Sequence, residues 1–452
     1  KDYYDIYYLA NKFDFDGKKE SMYALRPAFD TVADMIGKGK KVPESLLEIF
    51  AQNPEYSAKL DSLINAKDKV PFKIFDKKNA EKLFGKNLNI SASQLEKFNL
   101  CRFSYFCNYG LNVRERQRAE INPMQYGTIV HYILERFFGE YTKEEYLSLE
   151  EDKFQKIVCA YLAEYAVKYF GEEQLESNSF TYRLKTILDN VMYLMKHIME
   201  ELSQSEFFVA DCELKIGEDI PSYTIVLPDG HKIAVCGSVD RVDIMQRADI
   251  TYLRIIDYKT GTKQFKLSDI LYGINLQMLL YLHSIEASGG DKYGEIVPAG
   301  ILYMPATVPY ISSDSLKSID KLPDELNKKL KMNGLLLKDT EIIHGMDKTD
   351  VATYIPVKIK AGEPVSSTSL ATLAEFGKIF KKVDMLIAEM GKNIYNGNIE
   401  AKPLKGGHDS CEYCPYDSVC AYRQSNPITC FSVDNKTVIE EITNEINGKE
   451  EE

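Results

Sequence analysis

The stretch that most constrains this chain lies between Tyr223 and Lys259, where adjacent strands carry charges in places where charges are costly. Tyr223 to Leu227, a turn at Pro228-Asp229-Gly230, and Lys232 to Ile244 have the pattern of a hairpin, and Leu253 to Lys259 supplies the next strand beside it. Leu253, Ile255 and Ile256 make that strand apolar on both faces, as expected of a central position in a sheet. Side chains alternate along a strand, so Asp257 and Lys259 point to one face and Tyr258 to the other. A carboxylate and an ammonium there are stable only if paired or bound to a cation. With Asp240 projecting from the neighbouring strand toward the same face, two carboxylates could hold one or two hard cations such as Mg2+. Lys259 would then stand where it can stabilise or help deprotonate an attacking water.

Downstream, Gln277 and Tyr281 are four apart on a segment with Leu271, Ile274, Met278, Leu279 and Leu282, and so share one helix face. The order Gly237-Ser-Val-Asp-Arg-Val-Asp243, then Asp257-Tyr-Lys-Thr-Gly261, then Gln277-Met-Leu-Leu-Tyr281 resembles the RecB-family branch of the PD-(D/E)xK nucleases, over roughly residues 90 to 430. The resemblance implies an α/β, restriction-endonuclease-like mixed sheet flanked by helices, and metal-dependent hydrolysis of phosphodiester bonds. It implies Asp240 and Asp257 as metal ligands, Lys259 as the catalytic lysine, and Gln277 with Tyr281 as the pair that positions the lysine or the DNA. Upstream, Gly127 to Phe138 reads as a helix with Ile129, Ile133, Leu134, Phe137 and Phe138 as its apolar side and with His131 and Glu135 on one face. A single histidine beside an apolar face is most often a core residue. The resemblance implies instead that His131 adds a nitrogen ligand to the metal, with Glu135 ranking below it.

Cys411-Glu-Tyr-Cys-Pro-Tyr-Asp-Ser-Val-Cys420 is a second constraint, a C-x2-C-x5-C run in which three thiols call for a metal. A four-thiolate site needs one more cysteine. Cys101 is the candidate and Cys107 or Cys430 the alternatives, while Cys159, Cys212 and Cys236 fit packing roles and His408 a loop. Thiolate count alone does not separate zinc from an iron-sulfur cluster. The segment Ile90 to Phe106 opens on a helix start, with Ser91 or Ser93 as cap and Glu96 completing a capping box with Ser93. That segment resembles the beginning of the nuclease domain of AddB-type subunits of bacterial helicase-nucleases. The cysteines bracketing the acidic motifs resemble the 4Fe-4S nuclease domain of that family and, in shorter form, the CRISPR-associated RecB-like exonucleases. By this resemblance Cys101, Cys411, Cys414 and Cys420 hold a 4Fe-4S cluster that staples the ends of the domain. An ATP-driven partner subunit of AddA type would supply single-stranded DNA ends during recombinational repair. A different class of protein, a non-catalytic DNA-binding scaffold, would usually lack a ligand acid or the lysine, and Asp240, Asp257 and Lys259 are all present.

The remainder sets bounds. A formal charge of -12 argues against coating nucleic acid by bulk charge, although Arg102, Arg114, Arg116 and Arg118 form a locally basic stretch that could face phosphates. No G-x-x-x-x-G-K-[ST] occurs, so ATP hydrolysis through a P-loop is not expected of this chain. No run of 18 apolar residues and no signal-like start occur, which predicts a cytoplasmic protein. The chain begins at Lys1 inside structured-looking sequence and is expected to be the C-terminal part of something larger. The expected division is a helical remnant of a helicase-like region over 1–88, the nuclease domain with its iron-sulfur staple over 89–430, and a tail over 431–452. Within it, 140–210 reads as helices without chemistry, Ala299 to Met304 as a strand, 311–365 as a Lys- and Asp-rich insertion, and Ser369 to Tyr395 as one long amphipathic helix.

Overall fold

The fold is described from a computed structural model covering residues 19–37, 40–66, 73–114, 123–171, 177–261, 264–309, 322–349, 351–366, 368–420, 422 and 427–450. Thirteen strands are found among them: β1 (Asn87–Ile90), β2 (Phe208–Ile216), β3 (Thr224–Val226), β4 (Lys232–Val235), β5 (Gly237–Arg247), β6 (Ile250–Lys259), β7 (Glu295–Pro305), β8 (Asn333–Leu337), β9 (Lys358–Lys360), β10 (Glu363–Val365), β11 (Leu370–Ala371), β12 (Leu404–Gly406) and β13 (Ile428–Cys430). The main sheet has six strands in the order β11-β8-β7-β6-β5-β2. It is mixed, because β2, β5 and β6 form an antiparallel meander while β6 and β7 run parallel. The parallel step needs a crossover, supplied by the short 3-10 turn Leu267–Tyr272 and the helix Gln277–Ser288. β6 is thus an interior strand, as its two apolar faces require.

The expected hairpin forms only at its turn. β3 and β4 pair with Ile225 opposite Ile233, and Gly230 adopts the positive φ of 89° that the turn demands. The strand expected from Lys232 to Ile244 is two strands in two sheets. At Cys236 the chain leaves the three-stranded sheet β1-β4-β3, its N–H donating to the Ile90 carbonyl at 2.9 Å, and β5 begins in the main sheet. Gly237 permits the switch because a Cβ there would stand 2.2 Å from the Tyr281 hydroxyl.

Other boundaries move for equally local reasons. Leu370–Ala371 pairs with Leu336–Leu337, so the long helix starts at Leu373, where Thr372 and Glu375 form a capping box. The first capping box is Ser91 with Gln94, whose amide accepts from the Ser91 N–H at 3.0 Å, and not Ser93 with Glu96. The stretch 140–210 contains the helices Glu151–Phe170 and Asn178–Gln204, and β2 begins at Phe208 within what reads as a break. The 311–365 stretch is partly outside the described residues. Its described part holds the helices Leu322–Leu330 and Thr340–Met346, β8, and the hairpin β9–β10. The tail is the helix Asn435–Glu450.

The chain divides into two compact units. One comprises Lys1–Lys86, Lys97–Arg116 and Met390–Phe431. In it the helices Lys19–Gly37, Glu44–Gln52 and Ser57–Ala66 pack around Phe29, Phe50 and Tyr56, with Leu46 and Leu60. The other, Asn87–Glu96, Gln117–Glu389 and Ser432–Glu452, holds the main sheet. Under that sheet lies a fully buried charge quartet. Arg241 grips Asp243 through two hydrogen bonds of 2.8 Å, and Arg254 reaches Asp243 at 3.0 Å and Glu201 of the helix Asn178–Gln204 at 2.6 Å. Two guanidinium groups and two carboxylates cancel, which is what permits four charges in the interior.

Candidate active site

Three neighbouring strands deliver one carboxylate each. The pairs Cys212↔Arg241 and Leu214↔Val239 set Glu213 of β2 against Asp240 of β5, and one step beyond Arg241↔Ile256, Asp240 meets Asp257 of β6. Here the Asp240 carboxylate replaces the ladder, accepting the Tyr258 N–H at 2.9 Å. From the helix Pro123–Glu140, His131 approaches the row, with Nδ1 3.0 Å from Glu213 and Nε2 3.6 Å from Asp240. One ligand atom from each of His131, Glu213 and Asp240 lies within 4.8 Å of the others, a spacing that fits a cation.

Asp257 sits beside this trio with one oxygen hydrogen-bonded and the other, buried, in an ion pair alone. Lys259 Nζ lies 2.5 Å from one, and the Gln277 amide donates to the other at 3.1 Å. Asp257 is almost fully buried, whereas the Lys259 side chain keeps 27% of its exposure. Gln277 is the first residue of its helix, and the N–H of the preceding Leu276 is capped by Glu96 at 2.8 Å. Tyr281, one turn on, does something different. Its ring fills the space left by Gly237 and its hydroxyl is bonded to the backbone of Ala92, which fixes the helix against β5.

The electrostatics describe a site short of positive charge. Burial, then the Asp257 carboxylate, push Asp240 up to about 7. Burial alone would lower the His131 imidazole, but the Glu213 hydrogen bond and the charges of Asp240, Glu213 and Asp257 outweigh it and hold it above its ordinary value. Burial would raise Glu213, yet its hydrogen bonds with His131 and Ser238 keep it below the usual carboxylate range. A cation among these groups would favour the ionised Asp240 carboxylate and would displace the proton that the acids hold on His131.

Glu213 is the one member of the row that the sequence pattern does not single out. It takes a left-handed φ of 51°, which costs a glutamate about 1–3 kcal/mol and is tolerated mainly where a side chain must be aimed. The only sequence signal is a polar residue in the strand-like run Phe208-Val-Ala-Asp-Cys-Glu-Leu-Lys-Ile216. Glu135 borders the same cavity without joining the ligand trio.

In the first unit, Cys101 and Cys107 are buried with Phe103 and Tyr416, and Cys414 and Cys420 pack against them. Burial raises the Cys101 thiol, and the neighbouring Cys414 and Cys411 raise it further. Cys420 is pushed up to about 11 by burial and then by Cys101, Cys414 and Cys411. The four expected cysteines therefore lie together, with Cys107 beside Cys414 and Cys101. None of the nine is in a disulfide. Thiols that share one neighbourhood ionise together only around a cationic centre, which is the chemistry a thiolate-bound metal group needs, although no three of these sulfurs lie within 4.8 Å of one another. Cys430 lies on β13 opposite Gly406, and Cys159, Cys212 and Cys236 belong to a helix, to β2 and to the switch between sheets. Of the basic stretch, Arg102 lies over the Phe98 ring at 5.6 Å, while Arg116 and Arg118 lie outside the described residues.

Residues 89–421 match the family described as the PD-(D/E)XK nuclease superfamily. The chain belongs to that superfamily. As a PD-(D/E)XK nuclease it is similar to curated ATP-dependent helicase/deoxyribonuclease subunits of the B type. That of Thermoanaerobacter sp. is 34% identical over 354 residues, 76% of this chain and 30% of the relative. Those of Ruminiclostridium cellulolyticum and Clostridium kluyveri are 33% and 35% identical, covering 90% and 84% of this chain and 37% and 34% of the relatives. The chain thus spans about a third of the length of these relatives. No helix among the described residues is long and apolar enough to cross a membrane.

Proposed function

We propose that this PD-(D/E)XK chain is the deoxyribonuclease domain of a helicase-nuclease complex, cutting phosphodiester bonds of single-stranded DNA ends in the cytoplasm with Mg2+ or Mn2+. The observation that carries the reading is the row Glu213, Asp240 and Asp257 across three strands, closed by His131 and accompanied by Lys259. A divalent cation, when bound, polarises a phosphoryl oxygen and lowers the pKa of water at the site. His131, Glu213 and Asp240 are the residues to hold it, with Asp257 completing the carboxylate set. Lys259 keeps its ammonium beside Asp257 and open to the cavity, where it can orient the attacking water and offset charge building on the phosphate. Gln277 fixes the Asp257 carboxylate from the other side, so the acid does not rotate when the lysine moves.

On the same reading, Cys101, Cys411, Cys414 and Cys420 hold a 4Fe-4S cluster, which supplies structure rather than chemistry to the cutting site. The names of the relatives and the third of their length covered here support a larger protein working with an ATP-driven, AddA-type partner in the repair of double-strand ends. The test is substitution at the row. Asp257→Ala is expected to abolish cleavage of a single-stranded oligonucleotide while sparing binding, and Lys259→Ala to lose cleavage with cation binding retained. Wild-type cleavage by Asp257→Ala would sink the assignment.

A further inference from the structure

A cavity of about 1050 Å3 opens beside His131, Glu213 and Lys259, and part of its lining is aromatic: Tyr132 of the His131 helix, with Tyr165 and Tyr169 of the helix Glu151–Phe170. Tyr161, Tyr165 and Tyr169 are spaced i, i+4, i+8 and form one stripe. The first two are buried, whereas Tyr169 is 56% exposed. The rings make a continuous row, Tyr132 to Tyr165 at 5.2 Å and Tyr165 to Tyr169 at 4.4 Å with a 33° tilt. The row is anchored at its inner end, since the Tyr132 hydroxyl donates to Glu164 at 2.8 Å and Arg136 holds the same carboxylate at 3.2 Å. Tyr169 is therefore backed by a ring and ready to receive another. The Lys168 ammonium lies 5.2 Å from its centroid, on an exposed, flexible side chain that can shift to a phosphate.

A large exposed ring, held by a neighbour and lining the cavity that also holds the carboxylate row, suits one ligand chemistry above others. Every nucleobase presents a π face, and stacking on aromatic side chains is how single strands are gripped without regard to sequence. A base inside a duplex has both faces covered by its stacked neighbours and offers none. We propose that Tyr169, supported by Tyr165 and Tyr132, is the stacking platform for a base of the single-stranded DNA whose backbone enters the carboxylate row. The platform rests on the nuclease reading and adds to it a specific substrate subsite, selective for unpaired DNA and tolerant of base identity.

The experiment uses the whole 452-residue chain with Ca2+ in place of Mg2+, and oligodeoxythymidine carrying the fluorescent base 2-aminopurine at successive positions. Wild-type protein is expected to quench the fluorescence at one or two adjacent positions. Tyr169→Ala should lose the quench and bind about 5- to 150-fold more weakly, the range set by removing one stacked base. Tyr169→Phe keeps the ring and should retain the quench and an affinity within about twofold. Tyr169→Ala with wild-type affinity and intact quench would overturn the platform, and so would equal weakening by Ala and Phe, because only the ring is held to matter. These outcomes leave the nuclease reading standing. A wild-type chain that neither binds nor cuts single strands in either cation removes that reading, and the platform with it.

Discussion

Replacing Gly237 by alanine tests how the fold positions the site, because the structure sets the size of the effect. The new Cβ would stand 2.2 Å from the Tyr281 hydroxyl oxygen, 2.5 Å from Cζ and 2.7 Å from Cε1. Ordinary contacts of this kind lie at about 3.5–4.0 Å, so the three atoms overlap by about 0.8–1.8 Å. The φ of 159° adds a backbone cost for alanine to the overlap with the ring. Tyr281 has nowhere to go, being 5% exposed with its hydroxyl bonded at Ala92. Overpacking of this sort costs about 1–3 kcal/mol, and at roughly 2–4 °C per kcal/mol the melting temperature should fall by about 2–12 °C. Cleavage should fall too, since Gln277 holds Asp257 from the same helix one turn away. A double-mutant cycle isolates the contact. In a Tyr281→Ala background the added methyl should keep only its backbone cost, leaving a coupling of about 1–3 kcal/mol. An unchanged melting temperature, or an equal cost in both backgrounds, would refute the reasoning.

Asp243→Asn leaves Arg241 and Arg254 facing only Glu201 in a fully buried quartet, and should destabilise the chain by about 3–5 kcal/mol in a denaturant melt. Unlike the loss of a surface pair, that loss should be nearly independent of salt. Burial alone would lower His283, but its hydrogen bond with Asp384 and its ion pairs with Asp384 and Glu286 raise it to about 9. Its stabilisation is complete below its unfolded value of 6.5 and is lost as pH rises through 9, an effect on the order of 3 kcal/mol at 1.36 kcal/mol per pH unit. Thermal melts of wild type and His283→Gln should converge across that window, and a constant difference would contradict the assignment. Protein purified without oxygen should be brown with about four irons per chain. Substituting Cys101, Cys411, Cys414 or Cys420 should remove the iron, and substituting Cys159 or Cys236 should leave it, whereas a colourless chain with one zinc would replace the cluster by a zinc site.

What was legible in the sequence is what local chemistry dictates. The apolar faces around Asp257 and Lys259 announce an interior strand, and the structure places the two side chains together there with Gln277 on the acid. Cys101 packs in one neighbourhood with Cys414 and Cys420, far along the chain, together with Cys107, which the C-x2-C-x5-C spacing alone does not single out. What was not legible depends on distant partners. Glu213 joins the row only because a bulge between Val209 and Asp211 and a left-handed backbone angle set its register. The break between β4 and β5 falls at Gly237, against which Tyr281 packs from more than forty residues later in the chain. Glu96 reads as half of a capping box, yet it caps the helix of Gln277 instead. Tyr161, Tyr165 and Tyr169 are equivalent in sequence, and only packing decides that two are buried and that Tyr169 is left exposed at the cavity that Tyr165 also lines.

If Glu213, Asp240 and His131 hold the cation that cutting requires, the rate of single-strand cleavage must follow Mg2+ concentration, and must follow it differently in wild type and Glu213→Gln. No cleavage is expected in EDTA. Wild type should show saturable activation, and the midpoint for Glu213→Gln should move at least tenfold higher, about 1.4 kcal/mol of lost cation binding. Cleavage that persists in EDTA, or a Glu213→Gln titration that overlays the wild-type curve, would contradict this assignment of the cation site.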